Sequence, residues 1–226
     1  MAKRRHSAKA PGITCLALLL SGCASGGNVT YSEYGRILGQ AFSSAFSRSS
    51  VAREAAAAVP YASLGYRIDG GDQGMLVLAT DTNGTQLWTA ATHVVFQTSD
   101  GRITRTVGLQ HDLGGTAPLR GQALTPPSMA LKTPFASVRL ADFPDLGAYG
   151  VEISCSAAAR RRENVEILGQ AIPTMRVDEA CENSKISWRF VDNYWLDPQT
   201  GFVWRSLQHV APQSGAVETE IFRPPG

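Results

Sequence analysis

Hydrophobic and polar positions alternate along the chain from residue 61 onward, and turn residues interrupt the alternation at intervals of roughly eight to twelve positions. A period of two is typical of half-buried β-strands, whose successive side chains point to opposite faces. Asn83-Gly84 between two of these segments favours a hairpin, because both central residues of a type I′ turn need positive φ. The pattern therefore predicts an antiparallel meander with strands at 61–68, 75–80, 86–90, 93–98 and 102–109.

The segment 114–135 breaks this alternation because it is rich in glycine and proline. So long an irregular stretch is uncommon inside a compact domain, and it is either a functional loop or a segment whose elements the pattern misses. The alternation then resumes, and Arg160-Arg161-Arg162 is interpreted as a solvated turn within it. Further strands are predicted at 136–141, 151–158, 165–177, 186–196, 202–211 and 217–222.

The strongest hairpin signal is Asp197-Pro198-Gln199-Thr200-Gly201. Proline presets φ for the first turn position, the Asp197 carboxylate can accept from turn amides, and Gly201 tolerates positive φ. If 198–201 form the loop, Asp197 faces Phe202 and the register follows. One predicted face then pairs Trp195 with Trp204, Asn193 with Ser206 and Val191 with Gln208. The other, the predicted core face, pairs Leu196 with Val203, Asp192 with Leu207 and Phe190 with His209.

The part of the chain before residue 60 has helical periodicity. Thr30 and Glu33 fit a capping box, an alanine-rich patch at 51–58 ends before Pro60, and an apolar stripe recurs at helical spacing at 37–46. Residues 30–59 are therefore predicted as a helix or helix pair, either a brace on the sheet or an exposed helix for a partner. The predicted fold is mainly β: residues 60–226 form an antiparallel meander, a sandwich or a partly open barrel, on which the helical segment packs.

Residues 1–22 have the features of a secretory signal peptide, with a basic start, an apolar run from Ile13 and small residues before the cut. Cys23 follows directly, as in bacterial lipoproteins, where this cysteine is lipidated. The apolar run is too short to cross a bilayer. Ala24 lacks the aspartate signal for retention in the inner membrane. We therefore predict a lipid anchor at Cys23, a tether at 23–29 and the periplasmic face of the outer membrane as the location.

Removal of this leader changes the charge and leaves few cysteines. The leader takes four basic and no acidic residues, so 17 basic and 19 acidic residues remain, for a formal charge of −2. This balance does not favour nucleic acid as a partner. An oxidising compartment favours a disulfide between Cys155 and Cys181, and two buried free thiols are the alternative.

The sequence contains no recognisable catalytic motif. It has no Gly-x-Ser-x-Gly elbow, phosphate loop, dinucleotide fingerprint or His-Glu-x-x-His. His93, His111 and His209 are not in ligand spacing, so no metal and no cofactor is predicted. A carboxylate pair for glycoside hydrolysis cannot be selected from the scattered acidic residues. We predict that the protein is not an enzyme, with a glycan hydrolase as the remaining alternative.

The residues with the most functional promise are aromatic. Flat rings flanked by amide and hydroxyl groups suit the packing of sugar rings, and the last predicted hairpin combines these groups on one face. The predicted glycan or partner contact residues are Trp195, Trp204, Asn193 and Ser206. The alternative is a cross-strand tryptophan pair that only stabilises the sheet, by up to about 1 kcal/mol.

Three stretches of the mature chain carry a further signal. They are Pro60-Tyr61-Ala62-Ser63-Leu64 with Leu76-Val77-Leu78, Gly101-Arg102-Ile103-Thr104-Arg105-Thr106-Val107-Gly108-Leu109 with Asp112-Leu113, and Tyr194-Trp195-Leu196-Asp197-Pro198-Gln199-Thr200-Gly201-Phe202-Val203-Trp204-Arg205-Ser206. In this order, together with Leu20-Ser21-Gly22-Cys23, they resemble the group 4 capsule polysaccharide lipoproteins, the YjbF family. The last stretch is the most specific.

The resemblance implies an outer-membrane lipoprotein that acts in the production and export of exopolysaccharide or capsule. It also implies partners, namely a large outer-membrane β-barrel protein and other periplasmic proteins, and no catalytic residues. The leading hypothesis is a non-enzymatic adaptor or scaffold. The alternatives are a glycan-binding module with a tryptophan-lined sheet face and an apolar carrier whose helical segment acts as a lid.

Overall fold

The structure is a computed structural model that describes residues 50–120 and 122–226. These residues form a short helix, α1 (Arg53–Ala57), two 3₁₀ turns and one antiparallel sheet. The prediction of a mainly β, antiparallel fold is confirmed. The strands are β1 (Ser63–Ile68), β2 (Gly74–Thr82), β3 (Thr85–Thr89), β4 (Val95–Ser99), β5 (Arg102–Val107), β6 (Gly115–Pro118), β7 (Phe135–Phe143), β8 (Ala148–Ile167), β9 (Gln170–Asn183), β10 (Trp188–Leu196), β11 (Val203–Gln208) and β12 (Val217–Arg223).

Strands that are adjacent in the sheet are also adjacent in sequence, with one exception that closes the sheet on itself. β1 pairs with β12, so the order is β5-β4-β3-β2-β1-β12-β11-β10-β9-β8-β7-β6. The sheet is therefore nearly closed into a barrel whose two edges, β5 and β6, are joined by a short connection. Of the two predicted architectures, the structure adopts the partly open barrel.

Side chains and a loop bridge the gap beside β5. The Gln208 amide, on β11, accepts a hydrogen bond from the Ile103 N–H (2.9 Å) and donates one to the Gly101 carbonyl (2.9 Å). It thus pairs with backbone groups that a neighbouring strand would otherwise use. At the other end of β5, the Thr106 N–H donates to the Leu113 carbonyl at 2.9 Å. The edge strand is thereby protected against pairing with another chain.

Helix α1 is the described part of the predicted helical segment, and its Ala56 is buried. The signal peptide, Cys23, the tether and the predicted helix at 30–49 lie outside the described residues. No helix within residues 50–120 and 122–226 is long and apolar enough to cross a membrane.

The longest hairpin, β8–β9, corrects the prediction of a turn at Arg160-Arg161-Arg162. These arginines lie within β8, where the register shifts between Ala159 and Arg162. The turn is at Leu168 and Gly169, which have φ of 49° and 71° as a two-residue hairpin loop requires. A leucine in a positive-φ position gave no sequence signal, because such turns normally carry asparagine or glycine. We call residues 160–176 the hairpin extension.

The irregular segment 114–135 packs against one end of the barrel. It contains β6 and a 3₁₀ helix, Pro127–Leu131, in which Pro127 and Ala130 are buried. Ala130 packs in a cluster of buried residues with Ala157, Val177, Tyr194, Leu196 and Val203. Most of the segment is thus structural, and it contains the short strand that the sequence pattern missed.

The β10–β11 hairpin has the predicted turn but not the predicted register beyond it. The Asp197 carboxylate accepts from the N–H groups of Gln199 and Thr200, and Leu196 pairs with Val203 as predicted. The register then shifts by one residue, so that Trp195 lies opposite Arg205. The predicted pairs Trp195–Trp204, Asn193–Ser206 and Asp192–Leu207 are therefore wrong. A bulge of one residue has no periodic signature in the sequence.

The two ends of the barrel differ. The chain enters the described domain where the Arg67 guanidinium donates to Ser50 Oγ (2.7 Å) and the Val51 N–H donates to Gln73 Oε1 (2.9 Å). Because strand direction alternates, the β1–β2, β5–β6, β7–β8, β9–β10 and β11–β12 connections lie at this entry end. The β10–β11 turn lies at the opposite end, and the tip of the hairpin extension lies beside Arg53 of α1.

Candidate functional site

The interior of the barrel contains an ionic network. Arg102 from edge strand β5 makes two hydrogen bonds to Glu179 on β9, at 2.6 and 2.9 Å, and both side chains are almost fully buried. Burial opposes ionisation of Glu179, but the charges of Arg102 and Arg139 outweigh it and hold the pKa of this carboxyl below its usual value. Both groups are therefore charged at neutral pH.

Arg139 connects this pair to a second buried carboxylate. Glu179 and Asp192 are directly opposite each other in the β9–β10 ladder, and Arg139 on β7 lies 3.4 Å from the first and 3.5 Å from the second. Asp192 also accepts from the His209 N–H at 2.8 Å and lies 3.2 Å from the ring Nδ1. Two guanidinium groups thus balance two carboxylates that would otherwise repel each other.

Tyr194 and Gln208 complete the interior network. Tyr194 OH accepts from Arg102 (3.1 Å) and donates to Gln208 Oε1 (3.3 Å), and burial raises the pKa of the phenol well above its usual value. The Gln208 amide also donates to Ser206 Oγ, which is paired with Thr219 Oγ1. The polar atoms of this cluster are paired with one another, as buried polar groups generally are.

The space beside this network is small. A cavity of about 20 Å³ is lined by Arg102, Arg139, Asp192, His209 and apolar neighbours, and a volume of this size holds about one water molecule. Ligand pockets typically have volumes of about 300–1,000 Å³. This cavity is therefore too small for a lipid chain, and it does not support the apolar-carrier hypothesis.

Cys155 and Cys181 form a disulfide, as predicted. They are directly opposite each other on β8 and β9 with Cα atoms 4.1 Å apart, and both are buried. Among the described residues, the one cluster with metal-ligand chemistry combines these cysteines with Glu179. The disulfide removes the two thiolates, and Glu179 is already paired with Arg102, so this cluster does not suit a metal ion.

Trp195 lies on the outer face of the barrel between two guanidinium groups. Arg176 on β9 and Arg205 on β11 approach its ring to 5.6 and 5.5 Å from the centroid, within the range of cation–π contacts. Its indole N–H donates to Glu163 of the hairpin extension. This bond is the largest cause of the lowered pKa of Glu163. The ring is thus engaged on both sides by neighbouring strands and along its edge by the extension.

The other three residues of the predicted contact face do not join Trp195 in one open surface. Trp204 packs edge-on against Phe202, with ring centroids 5.0 Å apart. Asn193 is buried and donates to Asp178. Ser206 is fully buried in the interior network, because the bulge before it reverses the face that it occupies. The structure thus separates Ser206 from the two tryptophans.

A groove at the opposite end of the barrel was not predicted from the sequence. It has a volume of about 350 Å³ and lies between the hairpin extension and the β10–β11 turn. Its lining residues are Arg162, Glu163, Asn164, Pro173, Thr174 and Pro198. The arginine run at 160–162 was the sequence signal for this site. Because the run was interpreted as a turn, no binding site was predicted from it.

The entry end carries exposed apolar side chains on its connections. Tyr149 is 67% exposed, and Leu146 and Ile186 are 39% exposed. Val107, at the end of β5, is 46% exposed. Large apolar residues clustered at one end of a protein are typical of contact surfaces.

Comparison with one solved structure supports the fold. The hypothetical lipoprotein YmcC from Escherichia coli has 19% sequence identity and a TM-score of 0.69, with 89% of this chain and 100% of that chain covered. A putative exported protein with a YmcC-like fold from Bacteroides fragilis has 11% identity and a TM-score of 0.32, with 72% and 93% covered. No curated protein matches the chain significantly.

The sequence profile described as "Group 4 capsule polysaccharide lipoprotein gfcB, YjbF" matches residues 36–222. This range includes all twelve strands except the last residue of β12. It also includes the three stretches of the mature chain on which the resemblance was based. The structure gives two of them a physical role: Arg102 is in the ionic network and Asp197 forms the β10–β11 turn. The protein is accordingly a lipoprotein of the cell envelope with a role in capsule or polysaccharide production. The chain belongs to the YjbF family of group 4 capsule polysaccharide lipoproteins.

Proposed function

We propose that this protein is a non-enzymatic adaptor of exopolysaccharide or capsule export, anchored through Cys23 to the periplasmic face of the outer membrane. The observation that carries the proposal is the coincidence of two features at the entry end. The chain that leads back to Cys23 joins the barrel there at Ser50, and Tyr149, Leu146 and Ile186 are exposed on the same end. An anchored adaptor would meet a membrane-embedded partner with this end.

The tether supports contact at the membrane because it raises the local concentration of the two partners. Ser50 is 27 residues from Cys23, so the length of this connecting chain limits the distance of the entry end from the membrane surface. A chain of 27 residues spans at most about 95 Å when fully extended. The partners that we propose are an outer-membrane β-barrel protein and periplasmic proteins of the same export system.

The interior of the barrel supports a non-enzymatic role. Its buried carboxylates, Glu179 and Asp192, are paired with Arg102, Arg139 and the His209 backbone. The adjoining cavity of about 20 Å³ is too small for a sugar ring. The ionic network is therefore best explained as a structural element that holds the barrel together.

Photo-crosslinking in intact cells tests the adaptor proposal. A photoreactive phenylalanine analogue at Tyr149 or Ile186 is expected to capture an envelope protein of the export system. The same analogue at Met129, which is 51% exposed at the opposite end, serves as the matched control and is expected to capture much less. Capture that is absent at Tyr149 and Ile186, or equal at all three positions, would contradict the proposal.

The anchor is tested separately by Cys23→Ser. The variant lacks the lipidation site and is expected to leave the outer-membrane fraction for the soluble periplasmic fraction. Retention of the variant in the outer membrane would contradict anchoring through Cys23. Fractionation of the unchanged protein into the inner membrane would contradict the proposed location.

The alternative function is direct binding of the polysaccharide. Trp195 supports it less than expected, because Arg176, Arg205 and Glu163 already engage its ring. The groove beside the hairpin extension favours it instead, since its size is that of a ligand site and Arg162 and Asn164 in its lining are exposed.

A further inference from the structure

We propose that the groove between the hairpin extension and the β10–β11 turn binds a segment of an acidic polysaccharide. The groove has a volume of about 350 Å³, which is within the range of small-ligand sites. The inference rests on the proposed role in polysaccharide export and adds a binding site, a class of ligand and an orientation. Charge, wall chemistry and location each support it.

The charge of the groove favours an anion. Its one carboxylate, Glu163, is fully engaged: one oxygen accepts from the Trp195 indole and the other from Arg161 at 2.7 Å. Arg161 also neutralises this carboxylate, because the two form an ion pair. Arg162 is exposed, and its side chain makes no hydrogen bond or ion pair with any other described residue. Its guanidinium is therefore free to form a forked contact with the carboxylate of an acidic sugar.

The position of Arg162 explains why it lacks a partner. Its two neighbours in the arginine run are both paired, Arg160 with Asp178 and Arg161 with Glu163. Arg162 lies opposite Met175 in the β8–β9 ladder, so no acidic side chain faces it across the strands. The irregular register before Arg162 turns it away from its neighbours and into the lining of the groove.

The walls of the groove suit a sugar chain. Pro173 and Pro198 supply rigid apolar surfaces from two different elements, against which the C–H faces of sugar rings can pack. Asn164 lies opposite Pro173 and is exposed, with an amide that can both donate to and accept from hydroxyl groups. Thr174 is buried at the base of the groove. Its hydroxyl donates to the Glu163 carbonyl at 2.7 Å and so joins β9 to β8 there.

The location agrees with the proposed orientation at the membrane. The groove lies beside the β10–β11 turn, at the end of the barrel opposite the connections that carry Leu146, Tyr149 and Ile186. If the entry end faces the membrane, the groove faces the periplasm, where a polymer in transit would be met. Glu163 also connects the groove to Trp195, so occupation of the groove is expected to alter the fluorescence of that indole.

Calorimetry with defined oligosaccharides tests the inference. The probes are an oligogalacturonate and a neutral dextran oligomer of equal length, added to the folded protein at low and at moderate salt. We expect the oligogalacturonate to bind, more weakly at the higher salt, and the dextran oligomer to bind at least about tenfold more weakly. Arg162→Ala is expected to weaken oligogalacturonate binding by about tenfold or more, since it removes a charge-assisted contact. Arg189→Ala is the matched control, since Arg189 is 84% exposed on another part of the surface.

Absence of oligogalacturonate binding, equal binding of both oligomers, or equal losses in Arg162→Ala and Arg189→Ala would each overturn the inference. Circular dichroism of both variants checks that they are folded. The crosslinking experiment at Tyr149 and Ile186 does not involve the groove. If crosslinking succeeds and the oligogalacturonate does not bind, the groove inference fails while the adaptor proposal stands. If the oligogalacturonate binds and crosslinking at Tyr149 and Ile186 fails, the adaptor proposal fails.

Discussion

Arg102 and Glu179 are 77 residues apart in sequence, yet their side chains meet inside the barrel in a two-bond ion pair. Arg102 lies on β5, an edge strand with no neighbouring strand on one side, and Glu179 lies on β9. The pair therefore fastens a free edge of the sheet to a central strand across the interior. At this edge, the ion pair takes the place of the hydrogen bonds that connect neighbouring strands elsewhere in the sheet.

Loss of either partner of this pair is expected to be strongly destabilising. Arg102→Met or Glu179→Gln leaves one buried group without its partner, and such changes cost about 3–5 kcal/mol. The double variant is expected to lose less than the sum, because it removes both buried charges. Urea denaturation measures the free energies of unfolding.

The exposed pair Arg189–Glu182 is the control for this experiment. Its side chains are 84% and 57% exposed, and removal of either is expected to change stability by no more than about 1 kcal/mol. Equal effects at the buried and the exposed pair would contradict the structural role of Arg102.

The same pair predicts a dependence of stability on pH. The pKa of Glu179 is lowered in the folded protein, so its stabilising effect is present above the unfolded pKa of about 4.3 and is lost as the pH falls through the folded value. The difference in unfolding free energy between the unchanged protein and Glu179→Gln should be constant near neutral pH and should shrink below about pH 4. A difference that stayed constant into acid would show that folding does not lower the pKa of Glu179.

Gln208 is expected to protect the edge of β5. Gln208→Leu leaves the Ile103 N–H and the Gly101 carbonyl without their partner, and an unpaired buried polar group costs about 1–3 kcal/mol. Thermal unfolding and light scattering should show lower stability and more self-association, since the strand edge becomes available. Gln199→Leu, at an exposed turn position, is the control and should show neither effect.

The Cys155–Cys181 disulfide closes a loop with a sequence separation of 26 residues. By the chain-entropy estimate, its loss in Cys155→Ala/Cys181→Ala costs roughly 3–4 kcal/mol. Differential scanning calorimetry of the double variant should therefore show a clearly lower unfolding temperature. An unchanged unfolding temperature would mean that positions 155 and 181 stay close together in the unfolded chain even without the disulfide.

Two hairpin glycines with similar backbone angles allow steric clash to be separated from backbone strain. Gly101 has φ of 77° and a Cβ there would lie 2.5 Å from Val203 Cβ, whereas Gly84 has φ of 79° and open space around it. Gly84→Ala should cost about 1–2 kcal/mol for the left-handed conformation alone. Gly101→Ala should cost about 1–3 kcal/mol more because it also overpacks the interior. Equal losses in chemical denaturation would contradict this close approach.

The sequence predicted the strands well where one face is apolar and the turn chemistry is explicit. The β10–β11 turn is the clearest case, because Asp197 and Gly201 each have the role that the turn requires. The prediction failed one residue further on, where the bulge reverses the faces of β11. Ser206 and Gln208 consequently point inward, although a polar residue in an alternating pattern is normally assigned to solvent.

The interior network was beyond prediction for the same reason. Arg102 comes from β5 and meets Glu179 and Asp192 from the distant pair β9 and β10, and each of the three alone has the pattern of a surface charge. Their partnership depends on the closure of the sheet, which joins positions that no local periodicity relates. The groove could not be predicted either. Its position depends on the turn at Leu168 and Gly169, which determines where the arginine run lies.

The pairing of β1 with β12 also has a consequence for folding. Ser63 lies opposite Arg223, so the ladder that closes the barrel joins residues 160 positions apart. Contacts of such long sequence separation are formed late and slowly, because a large loop must close before they contribute. Until residues 217–223 are available, both β1 and β11 remain open edges, and the partly folded chain is exposed to aggregation. The protein is thus expected to acquire its stability in one late step rather than strand by strand.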